Sequence, residues 1–180
     1  PLVVSDAGVR VSWIGGNRDF LVNQGFADAA GLTLLDEPYQ IEIGGHRIAL
    51  VHGDAQCTDD EKYMQFRAQV RTPQWQQQFL SMPLAKRKEI IAGLREGSRE
   101  AQSGKSYEIM DVTPQAVDEL FAQTGADVII HGHTHRPAVH QYGERKRYVL
   151  PDWDLDAEAP RGGWIAIDSD GAIHRHNLDG

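Results

Sequence analysis

Three short clusters of polar residues follow predicted strands, and they hold the side chains whose types and spacing could do chemistry. They are Gly16-Asn17-Arg18-Asp19, His52-Gly53-Asp54 and Gly132-His133-Thr134-His135. The apolar run before each cluster predicts a buried strand. Because open α/β sheets bind their ligands just beyond the strand ends, we expect the three clusters to meet at one edge of a sheet.

The His-x-His pair is the first candidate for a metal site. Neutral imidazole binds zinc, manganese, iron and other transition metals, and His133 and His135 could converge either on a strand or on the loop that leaves it. Gly132 before them allows the backbone to approach a bound group. Taken alone, such a pair is more often two polar histidines of a surface loop.

His52 and Asn17 strengthen this candidate. His52 follows the apolar residues 48–51, so its imidazole is either a metal ligand or a hydrogen-bonded core histidine. Asn17 offers an amide oxygen that suits a manganese-like shell, although asparagine is also a common turn residue. A single polar residue at a strand end is common, but metal-binding residue types at three successive strand ends are much less expected by chance. The combination therefore favours a metal site.

These motifs resemble a known family. Gly16-Asn17, His52 and Gly132-His133-Thr134-His135 are similar to the second half of the signature of calcineurin-like metallophosphoesterases. Residues 16–21, 52–60 and 131–140 resemble, more narrowly, the UDP-2,3-diacylglucosamine pyrophosphatases of lipid A biosynthesis, and the likeness runs over residues 2–153.

The resemblance implies an α/β fold, a metallophosphoesterase sandwich of two mixed β-sheets flanked by helices. We expect residues 1–180 to form a single domain with a helical lid inserted at residues 59–108. The family's Asp-x-His and Gly-Asp motifs, which supply further metal ligands, do not occur before Asn17. We therefore expect the N-terminal strands of the family fold and its bridging aspartate to be absent from this sequence.

The resemblance also implies a cofactor and a reaction. Two manganese ions would be bound, one by Asn17, His52 and His133 and the other by His135. In the family, metal-activated water attacks the α-phosphorus of UDP-2,3-diacylglucosamine, and the products are UMP and 2,3-diacylglucosamine 1-phosphate (lipid X). His133 and Arg18 would be catalytic, since a guanidinium beside a metal ligand can bind the phosphate through two hydrogen bonds. A salt bridge from Arg18 to Asp19 is the alternative.

Substrate contacts map by resemblance onto Asn17, Arg18 and His133 and onto the inserted segment, at Asp60, Ser98, Gln102 and Lys105, with Tyr63 as a plausible neighbour. Ser98, Gln102 and Lys105 would share one helix face through their i, i+4, i+7 spacing. Gln102 departs from the asparagine common in the family. Without the resemblance, the same spacing is typical of an ordinary solvated helix face.

Charge and composition restrict the partners. A formal net charge of −8 argues against nucleic acid as the main partner. A single cysteine, Cys57, and the lack of any apolar run of roughly 18 residues favour a cytoplasmic protein without a spanning helix. The apolar residues of segment 75–84 precede Lys86-Arg87-Lys88, which suits an anionic membrane surface, an acyl-chain groove or ordinary core.

We therefore expect a peripheral protein on the cytoplasmic face of the bacterial inner membrane. Two alternatives stay open: another dinuclear phosphoesterase that acts on phosphoproteins or nucleotides, and an inactive lipid- or nucleotide-binding fragment. The sequence does not indicate an oligomeric state.

The elements that must position these residues follow from periodicity and from glycine and proline signals. We predict helices over residues 20–30 and 113–123, with two or more between residues 59 and 108. We predict strands over residues 9–14, 33–35, 39–43, 47–51, 127–130, 147–150, 164–167 and 173–176.

Overall fold

The computed structural model describes the backbone of residues 1–103 and 109–178, and the side chains of these residues except 98–103. Its helices are α1 Leu2–Asp6, α2 Gln24–Ala30, α3 Glu61–Val70, α4 Pro73–Ser81, α5 Leu84–Ser103 and α6 Pro114–Thr124. Its strands are β1 Ser12–Ile14, β2 Thr33–Leu35, β3 Tyr39–Ile43, β4 His46–Val51, β5 Val128–His131, β6 Ala138–Tyr142, β7 Arg145–Val149, β8 Gly163–Ile167 and β9 Ile173–Asn177.

A five-stranded mixed sheet, in the order β3-β4-β5-β7-β6, forms the centre of the molecule. Strands β4, β5 and β7 run parallel, and β3 and β6 pair antiparallel at the two edges. The predicted α/β class is confirmed. The expected pair of mixed sheets differs in detail: the other described sheets are the parallel pair β1-β2 and the antiparallel pair β8-β9.

The side-chain alternation of the central strands builds two apolar layers. Ala49 and Ile129 face helix α6 and pack in one cluster with its Phe121. The neighbouring residues Ile48 and Val128 point to the opposite face, where the apolar side of β8-β9 covers them. Strands that are covered on both faces read as continuous apolar runs, which is why β4 and β5 were evident in the sequence.

Caps and turns place the ends of the elements. Thr113 accepts a hydrogen bond from the Ala116 amide and begins α6, as the sequence indicated. Helix α2 begins at Gln24, later than the predicted residue 20, because the Asn23 side chain caps it through the Phe26 amide. Strand β6 was missed, since its residues are half-buried or exposed and show no apolar alternation.

The segment predicted as a helical insertion contains α3, α4 and α5. Pro73 is the first residue of α4, a position where its missing N–H has no helical partner to lose. Pro83 separates α4 from α5. The division into a single domain with a lid stays a prediction.

The β3-β4 turn offers a stability test with a matched control. Gly44 and Gly45 both have left-handed backbones, with φ of 55° and 82°. A Cβ on Gly44 would overlap the backbone of Asp170 and Gly171 in the β8-β9 turn, whereas a Cβ on Gly45 meets nothing within 4 Å. We expect Gly45→Ala to cost about 1 kcal/mol of unfolding free energy and Gly44→Ala about 2–4 kcal/mol, measured by urea denaturation. Equal losses would show that this contact between the two sheets is unimportant.

Candidate functional site

The three polar clusters meet at one edge of the central sheet. His52 follows β4 and His133 follows the neighbouring parallel strand β5, and their imidazole centroids lie 4.8 Å apart. Gly16 packs against His52 so closely that an added Cβ would lie 2.6 Å from the imidazole Nε2. The loop that carries Asn17 is therefore beside the histidine pair, as the sequence predicted.

The loop after β5 has a strained backbone. Strand β5 ends at His131, so His133 and His135 lie in the loop, and both have positive φ, 64° and 54°. Left-handed conformations are uncommon for residues other than glycine and concentrate at functional sites. The loop is held by the Gly132 amide, which donates to the His52 carbonyl at 3.1 Å.

His135 has a different neighbourhood from His52 and His133. Its side chain is 60% exposed, and its Nδ1 lies 3.6 Å from a carboxylate oxygen of Asp152. The structure thus brings together the Asn17 loop, His52 and His133, and leaves His135 at the rim with Asp152.

The carboxylate of Asp54 organises the floor of the site. Its Oδ1 is 3.0 Å from His52 Nδ1, and its Oδ2 accepts hydrogen bonds from the Tyr63 hydroxyl at 2.5 Å and from Arg67 Nε at 3.0 Å. Burial alone would raise the pKa of Asp54, but the hydrogen bonds from His52 and Tyr63 and the charge of Arg67 outweigh it and hold that pKa far below its ordinary value. Asp54 is therefore ionised at neutral pH.

Helix α3 carries the partners of this carboxylate. Tyr63, Arg67 and Arg71 recur at i, i+4 and i+8, so they share one helix face. Arg71 lies 3.5 Å from Asp54 and also donates to the carbonyls of Gly15 and Gly16, at 3.3 and 3.2 Å. It thereby ties the Asn17 loop to the floor of the site.

Glu37 completes the network from the other side of the site. It accepts from the His52 backbone amide at 2.7 Å and from Arg67 at 3.0 Å. Sequence reasoning did not assign Glu37, Asp54, Arg67 or Arg71. The four-residue spacing of Tyr63, Arg67 and Arg71 was a usable signal for the arginines.

Tyr63 contacts both Asp54 and His133. Its predicted place beside the substrate stays a prediction; its hydroxyl donates to Asp54, while its ring stacks with His133 at a centroid distance of 6.1 Å. Burial, together with the negative charge of Asp54, raises the pKa of Tyr63 well above its ordinary value. The hydroxyl therefore stays protonated and acts as a donor to Asp54.

Arg18 is exposed at the mouth of the site. The alternative salt bridge to Asp19 does not form; the Asp19 carboxylate instead accepts from the Gly16 amide at 2.6 Å. Among the described residues Arg18 has no ion pair. Its positive charge contributes to the lowered pKa of His133. A guanidinium in this position is available to an anion.

The remaining predicted contacts are only partly described. Asp60 caps α3, since its side chain accepts from the Tyr63 amide at 3.1 Å. The side chains of Ser98 and Gln102, and the whole of Lys105, lie outside the described residues.

His133 and His52 have the chemistry of metal ligands. Burial, reinforced by the nearby His52, lowers the pKa of His133 to about 4, so its imidazole is neutral at pH 7. His52 is held at Nδ1 by Asp54, and its Nε2 remains for a ligand. With the amide of Asn17, these nitrogens fit a divalent transition metal.

The described residues supply only part of a metal shell. Over ranges 1–103 and 109–178 no three His, Cys, Asp or Glu side chains are grouped as metal ligands. The fit thus rests on two imidazoles and the asparagine beside them.

Comparison with known proteins identifies the family. The sequence profile of the calcineurin-like phosphoesterases matches residues 2–137. The chain belongs to the calcineurin-like phosphoesterase family. Membership implies the use of divalent metal ions and confirms the fold expected from the sequence motifs.

The relatives confirm the narrower resemblance as well. The chain is 52% identical over 161 residues to a UDP-2,3-diacylglucosamine hydrolase of Bordetella parapertussis, an alignment that covers 87% of this chain and 62% of that protein. It is 45% identical to the protein of the same name from Chromohalobacter salexigens, with 93% and 68% covered. The chain therefore spans less than two thirds of the Bordetella relative. A Vps29 mutant structure from Entamoeba histolytica, with 14% identity, a TM-score of 0.41 and coverage of 99% and 88%, is too distant to add to this.

His131, buried at the end of β5, and His133, half-buried in the loop that follows, predict how stability depends on pH. Burial lowers the pKa of His131 to about 4, and His133 has the same value, against 6.5 when unfolded. The unfolded chain takes up protons below about pH 6.5 before the folded chain does, so we expect the unfolding free energy to fall as the pH drops from 6.5 to 4. His131 alone should lower the unfolding free energy by about 3 kcal/mol over this pH range.

The measurement is urea denaturation of the metal-free chain over this pH range. The Asp54 carboxylate adds nothing here, since its stabilisation is lost only below its ordinary pKa of 3.8. His133→Ala removes one of the two groups and should flatten the slope. A constant unfolding free energy across the range would contradict the buried neutral state.

Proposed function

We propose that this chain is the metal-binding part of a hydrolase that cleaves the pyrophosphate bond of UDP-2,3-diacylglucosamine to UMP and 2,3-diacylglucosamine 1-phosphate (lipid X). The convergence of His52, His133 and the Asn17 loop carries the proposal, because it provides imidazole nitrogen and amide oxygen ligands near the guanidinium of Arg18, which has no ion pair within the described part of the chain. The relatives named UDP-2,3-diacylglucosamine hydrolase support this substrate over other phosphate esters.

Manganese is the metal that we propose. Asn17, His52 and His133 would hold one ion and His135 would contribute to a second, and mixed nitrogen and oxygen donors suit manganese. A bound divalent ion lowers the pKa of water and neutralises phosphoryl charge. Arg18 would bind the phosphate through two hydrogen bonds from its planar guanidinium. The rest of the substrate would be oriented by Asp60, Ser98, Gln102 and Lys105.

An apolar cleft with a basic rim supports a lipid substrate. The cleft has a volume of about 450 Å³ between α4, α5 and the loop after β1. It is lined by Leu21, Phe79, Leu80, Leu84, Ile91 and Ala92, with Arg87, Lys88 and Arg95 beside them. Leu80 and Leu84 are 37% and 58% exposed, so apolar surface is available to an acyl chain.

The basic rim favours an anionic membrane surface as a second partner. Lys86 pairs with Glu89, whereas Arg87 and Lys88 line the cleft. None of the described helices is long and apolar enough to cross a bilayer. We propose a peripheral protein on the cytoplasmic face of the bacterial inner membrane that does not bind nucleic acid.

The reaction has a direct test. With Mn²⁺, the chain should release UMP from UDP-2,3-diacylglucosamine, detected by chromatography. His133→Ala should lower the rate by about 100-fold or more, since the metal's contribution is worth several kcal/mol. His140→Ala is the control, because His140 is an exposed residue of β6 outside the site. Release of UMP at the same rate by the His133 variant would refute the proposed role.

Membrane association has a separate test. The chain should float with vesicles of phosphatidylethanolamine and phosphatidylglycerol, and less so as salt increases. Leu84→Asn should weaken binding about tenfold, because a buried leucine is worth about 1.5 kcal/mol or more. Leu94→Asn, on the same helix but outside the cleft lining, is the control. A chain that stays wholly in the unbound fraction would contradict the membrane proposal.

A further inference from the structure

Asp54 has no role in the steps proposed above, although it is fully buried between the histidine pair and the inserted helices. Its two oxygens face different parts of the site. Oδ1 meets His52 Nδ1 at 3.0 Å, and Oδ2 accepts from Tyr63 and Arg67 of α3. One carboxylate therefore joins the end of β4 to the helix that begins the insertion.

This geometry decides which nitrogen of His52 carries its proton. An ionised carboxylate is only an acceptor, so a neutral His52 must hold its proton on Nδ1 to bond with Asp54. Nε2 then lies beside Gly16 of the Asn17 loop, where a Cβ would come within 2.6 Å of it and only a glycine leaves room. A neutral imidazole binds a metal through the nitrogen that carries no proton, and its orienting partner on the other nitrogen sets its tautomer.

We infer that Asp54 is a positioning residue, which selects the Nδ1-protonated tautomer of His52 for metal binding and holds α3 against the same imidazole. The inference rests on the proposed function only in so far as His52 is assigned to a metal. It differs from a general packing role because it specifies a proton position.

Asparagine at position 54 separates the two tasks. The amide has one oxygen and one NH2 group, so it cannot accept on both sides as the carboxylate does. The oxygen will be taken by Tyr63 and the charged Arg67, which are donors on the Oδ2 side. The NH2 group then faces His52 Nδ1 and requires it to accept. Asp54→Asn should therefore move the His52 proton to Nε2.

The tautomer is read directly by long-range ¹H–¹⁵N correlation spectra of the metal-free chain at about pH 8.5, above the ordinary histidine pKa. We expect Nδ1–H in the unmodified chain and in Tyr63→Phe, and Nε2–H in Asp54→Asn. Mn²⁺ affinity, measured from the EPR signal of free Mn²⁺, should fall about 10- to 100-fold in Asp54→Asn. Asp59→Asn is the control, because Asp59 is exposed in the same loop.

Several results would overturn the inference. An unmodified chain with His52 protonated on Nε2 would do so even if Asp54→Asn does not fold, and so would an Asp54→Asn protein with unchanged tautomer or Mn²⁺ affinity. Neither readout uses UDP-2,3-diacylglucosamine. Release of UMP with an unchanged tautomer in Asp54→Asn refutes this inference alone, whereas the predicted tautomers without UMP release refute the proposed function alone.

Discussion

A buried negative charge must be surrounded by donors, and the site in this chain is organised by that requirement at Asp54. An ionised carboxylate removed from water is costly unless every oxygen is hydrogen-bonded. Here the donors come from two segments: His52 after β4, and the α3 face of Tyr63, Arg67 and Arg71, of which Arg71 also holds the carbonyls of Gly15 and Gly16. Satisfying one carboxylate thus fixes the relative positions of the segments that form the site.

The neighbouring layer of the site is built on a neutral imidazole and a buried guanidinium. His131 is buried, with Nδ1 at 2.9 Å from the Gly132 carbonyl and Nε2 at 2.8 Å from Arg147. Gly53 must lack a side chain here, because an added Cβ would lie 2.8 Å from His131 Nδ1. The loop that carries the left-handed His133 backbone therefore starts from a rigidly packed strand end, at His131. The folded sheet offsets the strain of that backbone conformation.

A continuous set of ring contacts connects the site with the apolar cleft. The Arg71 guanidinium lies 4.9 Å from the Phe20 ring centroid, and Phe20 lies 6.3 Å from Trp75. Trp75 stacks on Phe79 at 4.9 Å, and Phe79 lines the cleft. The residue that holds the Asn17 loop is thus in packing contact with the helices proposed to receive acyl chains. In such a layout, the position of α4 and the position of the phosphate-facing loop depend on each other.

The sequence by itself determined the α/β class, the central strands, the cap of α6 and the family, because these depend on local periodicity, capping chemistry and motifs read along the chain. It also indicated that Asn17, His52 and His133 would meet. His52 and His133 do so because the parallel strands β4 and β5 end at the same sheet edge, whereas the Asn17 loop reaches them from the separate β1-β2 pair. Only the tertiary structure decided that His135 lies at the rim with Asp152, that the Tyr63 hydroxyl serves Asp54, and that Glu37, Arg67 and Arg71 complete the floor. Those outcomes depend on side-chain contacts that form only once the strands and helices have packed, such as His135 with Asp152 and Arg67 with Glu37, and no local pattern along the chain encodes them.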